Sequence, residues 1–333
     1  MKKGKSELIT EDKNFTKIIL NKKFLGGKMR KGKLAVLLIV VFVVVMAFIG
    51  CATKNENISA PATGDNILRL ATNDEQNTCD VQKTTEYYTI PLNIYERLVE
   101  TQTNFDGTSE LVPGLAERWE ISDDGLTYTF YLRKGVKFQN GEEFKADDVV
   151  YTFERMLKPE TNALNQDFIT AIKGSLDMME GKTDKLVGLE VVDEYTIKTT
   201  LESPFAPFLA NLATPGVSIY NRKFTEEAGD QFGLLPEKTC GTGPFKLSKW
   251  ELNSETQVDA FDGYWKGRPK LDAVNWRTVK DADTQRMMFE NGELDEFDCD
   301  AAPSQIPYFA NSEKYKDWLK VGNRVRIYYY SIN

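Results

Sequence analysis

Acidic side chains are concentrated in one short segment of the sequence. Glu293, Asp295, Asp298 and Asp300 lie in this segment, and Cys299 stands between the last two. Carboxylates pair with ammonium groups through charge-assisted hydrogen bonds, ligate calcium, or simply face solvent. The spacing does not match an EF-hand loop, which disfavours calcium. An amine-binding loop and a solvated surface are therefore the two main interpretations of the segment.

Histidine is absent from all 333 residues. Its absence removes the Ser-His-Asp and Cys-His arrangements of many hydrolases, together with the commonest zinc ligand. The four cysteines, Cys51, Cys79, Cys240 and Cys299, form no C-x-x-C pair, although a disulfide between Cys79 and Cys240 stays open. Ser-Lys or paired-carboxylate catalysis is not excluded, but no spacing indicates it. We therefore predict a protein that is not an enzyme and has no cofactor and no metal site.

The distribution of charge narrows the range of partners. The net charge is −8, yet residues 1–50 contain 11 of the 42 basic residues and few acids. From Cys51 onward, 31 basic residues face 47 acidic ones. Such a field repels phosphate backbones, so nucleic acid is not an expected partner, while a cationic or zwitterionic solute is tolerated.

Before Cys51 the sequence has the layout of an export signal. Sixteen consecutive apolar residues, 34–49, follow the basic stretch 29–33. This run is short for a membrane span, so a signal peptide covering residues 1–50 is favoured over an uncleaved membrane helix. Met29 is an alternative start. Residues 51–65 are small and polar without apolar periodicity, which predicts a flexible tether.

The residues before Cys51 also resemble a bacterial lipobox. Phe48-Ile49-Gly50-Cys51 has the small residue and the cysteine of that motif, with Phe48 in the place of the usual leucine. The resemblance implies that Cys51 is diacylated and becomes the first residue of the mature protein.

The exported part alternates between strand and helix patterns, and its composition of 41% hydrophobic and 28% charged residues is that of a globular protein. Period-two alternation predicts strands at 67–71, 127–132, 189–191, 195–201, 245–250, 256–261 and 274–279. Helical spacing predicts helices over 88–99, from about 147, and over 283–290. Mixed elements of this kind predict layered α/β sheets covered by helices.

The stretch 114–138, GLAERWEISDDGLTYTFYLRKGVKF, resembles the extracellular solute-binding proteins of peptide ABC importers, the oligopeptide/dipeptide-binding lipoproteins of family 5. Further matching motifs follow in the same order: Asn140-Gly141, Ala146-Asp147-Asp148-Val149, Val192-Asp193-Glu194-Tyr195-Thr196, Gly241-Thr242-Gly243-Pro244-Phe245, Tyr264-Trp265-Lys266-Gly267 and Asn291-Gly292-Glu293-Leu294-Asp295. Together they cover roughly residues 66–333.

This resemblance implies an α/β fold of the periplasmic-binding-protein-like type II, or venus-flytrap, class. Residues 66–99 and 214–325 are expected to form lobe I, and residues 100–213 an inserted small subdomain. Residues 326–333 would begin the crossover to a second lobe, which we expect to be absent from this chain. A cleft with one wall would bind ligand weakly, because closure of two lobes normally buries it.

The resemblance also implies a ligand site, because family members hold an extended peptide largely through main-chain hydrogen bonds. The positions that match the family's cleft are Thr85, Glu86, Tyr87, Tyr88, Asp298, Cys299, Asp300, Arg326, Tyr328 and Tyr329. Core packing is the alternative for Tyr88, and solvation is the alternative for the acidic positions. Strand parity leaves open whether Tyr329 with Ile327 or Tyr328 with Arg326 faces the cleft.

The function implied is that of a substrate-binding lipoprotein that captures oligopeptides for an ABC importer. It would lie on the outer face of the bacterial cytoplasmic membrane, periplasmic in a Gram-negative cell, and contact the permease of the permease–ATPase complex directly. The alternatives are a binding protein for an oligosaccharide, a nickel chelate or haem, and a peptide-sensing receptor. Trp250, Trp265 and Trp276 would suit sugar stacking, with core packing as the other interpretation.

Replacing the lipidated cysteine tests the export prediction. In Cys51→Ala we expect release of the protein into the medium or accumulation of an unprocessed precursor. Two acyl chains, each contributing about 0.8 kcal/mol per buried methylene, are lost together. Membrane fractionation with mass spectrometry of the N-terminus measures both outcomes. A variant that is still processed and still membrane-bound would rule out Cys51 as the attachment site.

Overall fold

The computed structural model describes residues 66–104 and 108–320. The signal peptide, the tether, Cys51 and the crossover 326–333 lie outside the described residues, as do Arg326, Tyr328 and Tyr329. Predictions about them stay predictions. Within the described residues no helix is both long and apolar enough to cross a bilayer.

The described chain contains short strands and helices that alternate along the sequence. The strands are β1 (Ile67–Thr72), β2 (Val99–Thr103), β3 (Ser109–Pro113), β4 (Ala116–Ile121), β5 (Thr127–Leu132), β6 (Leu189–Asp193), β7 (Thr196–Thr200), β8 (Phe245–Glu251), β9 (Glu255–Ala260) and β10 (Ala273–Thr278). The α-helices are α1 (Pro91–Ile94), α2 (Ala146–Leu157), α3 (Ser175–Met179), α4 (Phe208–Leu212), α5 (Arg222–Ala228), α6 (Ala282–Glu290) and α7 (Ile306–Asn311). Single 3₁₀ turns occupy Val81–Lys83, Pro159–Thr161, Gln166–Ile169, Pro215–Val217, Gly229–Gln231, Pro236–Lys238 and Pro303–Gln305.

The first sheet joins the start of the described chain to its later part. Its strand order is β1-β10-β9-β8, with β1 parallel to β10 and the other neighbours antiparallel. Leu70 lies opposite Trp276 in the parallel pair. One face covers a core that includes Val258, Val274 and Trp276.

The second sheet lies within the residues predicted as the inserted subdomain. Its order is β4-β5-β7-β6, all antiparallel, and β2 pairs with β3 in a separate hairpin. In β5, Tyr128, Phe130 and Leu132 are buried while their neighbours are half-exposed, as the alternation predicted. Its core also includes Ile219 and Cys240, which lie outside the residues predicted for the subdomain. The boundaries at 99/100 and 213/214 therefore stay a prediction.

Helix α2 matches its predicted start and buries the predicted face, formed by Val149, Phe153, Met156 and Leu157. The helix predicted over 88–99 is wrong. The structure has four helical residues, Pro91–Ile94, and the backbone becomes extended at Tyr95.

The reason is that the backbone of residues 94–98 binds other parts of the chain. The Ile94 carbonyl accepts from Gly243 N at 2.8 Å, and the Leu98 carbonyl accepts from Gly114 N at 3.1 Å. This tertiary pairing stabilises an extended backbone and overrides the helical spacing of the apolar residues. A Cβ at Gly241 would overlap the Ile94 carbonyl oxygen, so the loop 241–243 needs glycine for this approach.

A buried ion pair connects the 3₁₀ turn at residues 81–83 to helix α2. Arg155 donates to Asp80 at 2.6 Å and 3.2 Å, and the Tyr220 hydroxyl donates to Asp80 Oδ1 at 3.0 Å. The side chains of Asp80 and Arg155 are 2% and 13% exposed. With both partners present, each charge is compensated inside the core.

Cys79 and Cys240 are free thiols, and both are buried. Burial raises the pKa of Cys79 to about 12, with a further contribution from Asp80, and raises the pKa of Cys240 to about 11. Both thiols therefore stay protonated and unreactive at neutral pH.

Removing one member of the buried pair should be costly. For Asp80→Ala we expect a loss of about 3–5 kcal/mol in the free energy of unfolding, because Arg155 keeps an uncompensated charge in the core. Asp147→Ala breaks the exposed pair with Arg222 and should cost less than about 1 kcal/mol. Urea titration of both variants measures the difference. Equal losses of stability in the two variants would show that the buried pair contributes no more than the exposed pair.

Candidate functional site

The acidic segment is fixed to the outer edge of β1. The backbone of Arg69 donates to Asp295 Oδ2 at 2.8 Å and accepts from Asp295 N at 2.8 Å. The Arg69 guanidinium donates to the same carboxylate at 2.6 Å and 3.0 Å. The hydrogen bonds from the Arg69 guanidinium hold the pKa of the Asp295 carboxyl below the ordinary value for aspartate. Asp295 is thus a structural anchor, while the residues after it extend beyond the sheet edge.

Beside this segment lies a cavity of about 740 Å³. Aromatic side chains from α6, from the acidic segment and from residues 306–320 form one wall: Phe289, Phe297, Phe309, Tyr315 and Trp318. Phe309 and Tyr315 are buried, whereas Trp318 is 64% exposed. Leu68 of β1 completes the apolar lining near the sheet edge.

The rim of the cavity is charged. Glu296, Asp298 and Asp300 line it together with Lys320. Asp298 accepts the backbone N–H of Asp300 at 2.8 Å and that of Ala301 at 3.4 Å, both through Oδ1. Oδ2 takes part in neither bond. Among the described residues, three carboxylates and one ammonium therefore line the rim.

Cys299 also lines the cavity, partly buried between two aspartates. Burial raises the pKa of its thiol, and the charges of Asp298 and Asp300 raise it further. The thiolate is the nucleophilic form of cysteine, so this thiol is suited to contact and not to covalent chemistry.

Asp298, Cys299 and Asp300 are consecutive in the sequence, and all three line this cavity. A role in ligand binding stays a prediction for each of them. Within the part of the chain that is described, no group of three or more cysteine or acidic side chains could hold a metal ion. The acidic segment therefore gives no support to the calcium interpretation.

The other predicted group, Thr85 to Tyr88, lies in a separate loop, and none of its members is among the described residues that line the cavity. The Tyr88 hydroxyl donates to Thr84 O at 2.7 Å and accepts from Asn165 at 3.3 Å. Its ring packs against the core below the first sheet, which fits the core alternative. Thr85 and Glu86 are exposed.

Tyr87 is unusual within this loop. Its φ is +59°, a left-handed conformation that is uncommon for a residue other than glycine, and its ring is exposed. The charge of Asp74, after β1, and then that of Glu86 raise the pKa of its hydroxyl. Asp74 follows the carboxyl end of β1, the end of a strand at which α/β sheets commonly bind ligands.

Sequence reasoning missed the aromatic wall and Asp74. Two indications were available: an apolar residue, Phe289, in the predicted helix 283–290, and the aromatic-rich stretch 308–318. Neither indicates that the rings share one cavity.

The tryptophans proposed for sugar stacking have structural contacts. Trp276 is buried in the core below the first sheet, and Trp250 packs against the same core. Trp265 donates its indole N–H to the buried Glu96 at 2.7 Å, and Tyr264 donates its hydroxyl to the same carboxylate at 2.9 Å. Burial raises the pKa of Glu96. These contacts favour the core interpretation for Trp276 and Trp250, whereas Trp265 is half-buried and also lines a second cavity.

Comparison with known proteins decides the family. The profile of the bacterial extracellular solute-binding proteins, family 5 (middle), matches residues 110–333. The chain belongs to this family. The resemblance predicted from the motifs is thereby confirmed.

Among curated relatives, the dipeptide-binding protein of Escherichia coli K12 is 38% identical over 236 residues, covering 67% of this chain and 41% of the relative. Heme-binding protein A of Haemophilus influenzae is 37% identical over 222 residues, covering 63% of this chain and 39% of the relative. The chain thus spans about two fifths of the length of these relatives.

Solved structures agree on the fold. The substrate-binding domain of an oligopeptide ABC transporter from Bacillus anthracis superposes with a TM-score of 0.66 at 29% identity, over 74% of this chain and 48% of the other. Listeria monocytogenes OppA bound to peptide superposes with a TM-score of 0.63 at 29% identity, over 70% of this chain and 46% of the other. The predicted periplasmic-binding-protein-like α/β fold is confirmed.

Alkylation of Cys299 tests the electrostatics of the acidic segment. At pH 8 we expect Cys299 to react with iodoacetamide more slowly than free cysteine, because its pKa is raised. Asp298→Asn should accelerate the reaction roughly two- to threefold, since a unit charge several ångströms away contributes about half a kcal/mol in water.

Peptide mapping by mass spectrometry distinguishes Cys299 from the buried Cys79 and Cys240. Asp184→Asn, which removes an exposed carboxylate from the α3–β6 loop, is the control and should leave the rate unchanged. Equal rates in wild type and Asp298→Asn would place the aspartate's charge away from the thiol.

Proposed function

We propose that this chain is part of a solute-binding lipoprotein that captures peptides outside the cell for an ABC importer. The observation that carries the proposal is the family match over residues 110–333, together with relatives named for dipeptide, di/tripeptide and oligopeptide binding. The acidic rim beside an apolar cavity supports it, because a peptide presents an ammonium group next to side chains of varied polarity.

The protein is attached through Cys51 to the outer face of the cytoplasmic membrane. It contacts the permease directly and delivers its ligand there. Residues 66–99 and 214–325 form lobe I, and residues 100–213 form the inserted subdomain. Thr85, Glu86, Tyr87 and Tyr88 contribute a second stretch of the ligand site, and Arg326, Tyr328 and Tyr329 a third. Catalysis has no part in this function, since the family is one of solute-binding proteins.

Haem is the second candidate ligand, because heme-binding protein A is nearly as similar as the dipeptide-binding relative. The chain contains no histidine, a common haem ligand. Titration with haemin and with a dipeptide mixture separates the two. Haem binding with no peptide binding would replace the proposal.

Asp298 supplies the sharpest test of the peptide site. In the protein as its host exports it, Asp298→Asn should weaken the binding of peptides that have a free amino terminus. We expect a loss of about 1–3 kcal/mol in binding free energy, the contribution of a charge-assisted hydrogen bond. The binding of N-acetylated peptides should be weakened less. The asparagine keeps an Oδ1 to accept the backbone N–H of Asp300, so the change isolates the charge.

Calorimetry with matched free and acetylated peptides measures the difference, and Asp184→Asn again serves as the control. Equal losses for both kinds of peptide would place Asp298 outside the site while leaving peptide binding itself intact.

A further inference from the structure

We propose that a second cavity, beside Arg133 and Trp265, binds a carboxylate group that comes from outside the chain. The cavity has a volume of about 400 Å³ and is lined by Glu117, Arg133, Lys134, Gly135, Val136 and Trp265. It shares no lining residue with the cavity beside the acidic segment. The site is therefore additional to the proposed peptide site, and its test does not depend on peptide capture.

Arg133 differs from the other arginines in the part of the chain that the structure describes. That part contains eight more, and each of them pairs with a carboxylate: Arg69, Arg97, Arg118, Arg155, Arg222, Arg268, Arg277 and Arg286. Arg133 has no carboxylate partner among the described residues, although 47 acidic residues face 31 basic ones from Cys51 onward. In a chain with such an excess of acids, this position is left for an anion from another molecule.

Two contacts hold the Arg133 side chain in place. Its Nε donates to the Gly114 carbonyl at 2.7 Å, and its guanidinium carbon lies 4.6 Å from the centre of the Trp265 ring. The indole is fixed in turn, because its N–H donates to the buried Glu96 at 2.7 Å. Within the described residues, the Nη atoms of Arg133 donate to no partner. A guanidinium fixed through Nε presents its two Nη groups as a planar fork and loses little freedom on binding.

The neighbouring charges favour a carboxylate as the occupant. Lys134 and Glu117 line the same cavity, both are exposed, and neither forms an ion pair with a described residue. Lys266 lies near the indole, but Glu96 compensates its ammonium at 3.6 Å. Two cations and one carboxylate in the lining suit a ligand with one negative charge. A carboxylate has this charge and matches the planar fork of the guanidinium with two oxygens, whereas a phosphate dianion would also meet Glu117.

Fluorine NMR tests the proposal on the protein as its host exports it, labelled with 5-fluorotryptophan. Trp265→Phe identifies the signal of Trp265. Sodium acetate is titrated against sodium chloride at equal ionic strength, and we expect only acetate to shift this signal saturably. Arg133→Gln should weaken acetate binding roughly tenfold or more, because it removes charge-assisted hydrogen bonds to both carboxylate oxygens.

Two lysine variants refine the assignment. Lys134→Gln should weaken acetate binding roughly two- to fivefold, the size of an exposed ion pair. Lys173→Gln removes an exposed cation that does not line the cavity and is the matched control. It should leave the acetate affinity unchanged. Equal effects of the two lysine variants would show that acetate responds only to the overall charge of the protein, and would overturn the proposal.

A measurement on wild type covers the case in which Arg133→Gln fails to fold. Phenylglyoxal modifies arginine side chains, and peptide mapping by mass spectrometry gives the rate at each position. Acetate should slow the modification of Arg133 and leave the rate at Arg277, which is paired with Glu293, unchanged. Equal rates at Arg133 in acetate and in chloride would contradict the proposal.

Two blocked peptides, acetyl-Ala-Glu-Ala-amide and acetyl-Ala-Gln-Ala-amide, separate the possible sources of the carboxylate. A shift of the Trp265 signal with the glutamate peptide alone, lost in Arg133→Gln, would assign the site to an acidic side chain of a partner protein. A response to acetate and to neither peptide would assign it to a free organic acid. No response to acetate or to the glutamate peptide would overturn the proposal and leave the proposed function intact.

Discussion

The backbone carbonyls of residues 94–98 receive hydrogen bonds from several distant parts of the chain. Gly243 N reaches the Ile94 carbonyl at 2.8 Å, Ile219 N reaches that of Glu96 at 2.9 Å, and Leu115 N reaches that of Arg97 at 2.8 Å. The first sheet, the second sheet and the connection between them therefore converge on one short extended segment. Because buried carbonyls need partners, this segment fixes how closely the two sheets approach.

The positions of the two candidate site regions follow from that constraint. Arg69 on the edge of β1 holds the acidic segment through Asp295, and Asp74, which follows the carboxyl end of β1, raises the pKa of Tyr87. The cavity lies where the acidic segment leaves that edge. A binding surface of this kind depends on a rigid sheet behind it, whereas the residues that meet the ligand lie in loops.

The sequence predicted the elements that have a strict period and failed where tertiary contacts decide. Strands such as β5 were predicted well, because alternate residues must face a core or solvent. The helix over 88–99 failed because its backbone is committed to partners far along the chain, which no local pattern records. For the site, clustered charge made the acidic residues visible, while the rings of Phe289 and Trp318 look like ordinary core residues until the fold brings them together.

The parallel pairing of β1 with β10 has a consequence for how the protein is made. Leu70 pairs with Trp276, so the first strand leaves the ribosome long before its neighbour exists. The strands of the second sheet, by contrast, all lie within residues 116–200, so its pairings join residues that are nearer in sequence. Contacts between distant residues are slow to form. The edge that carries the acidic segment is therefore completed after the second sheet, and until then β1 has unpaired edges that favour pairing with other chains.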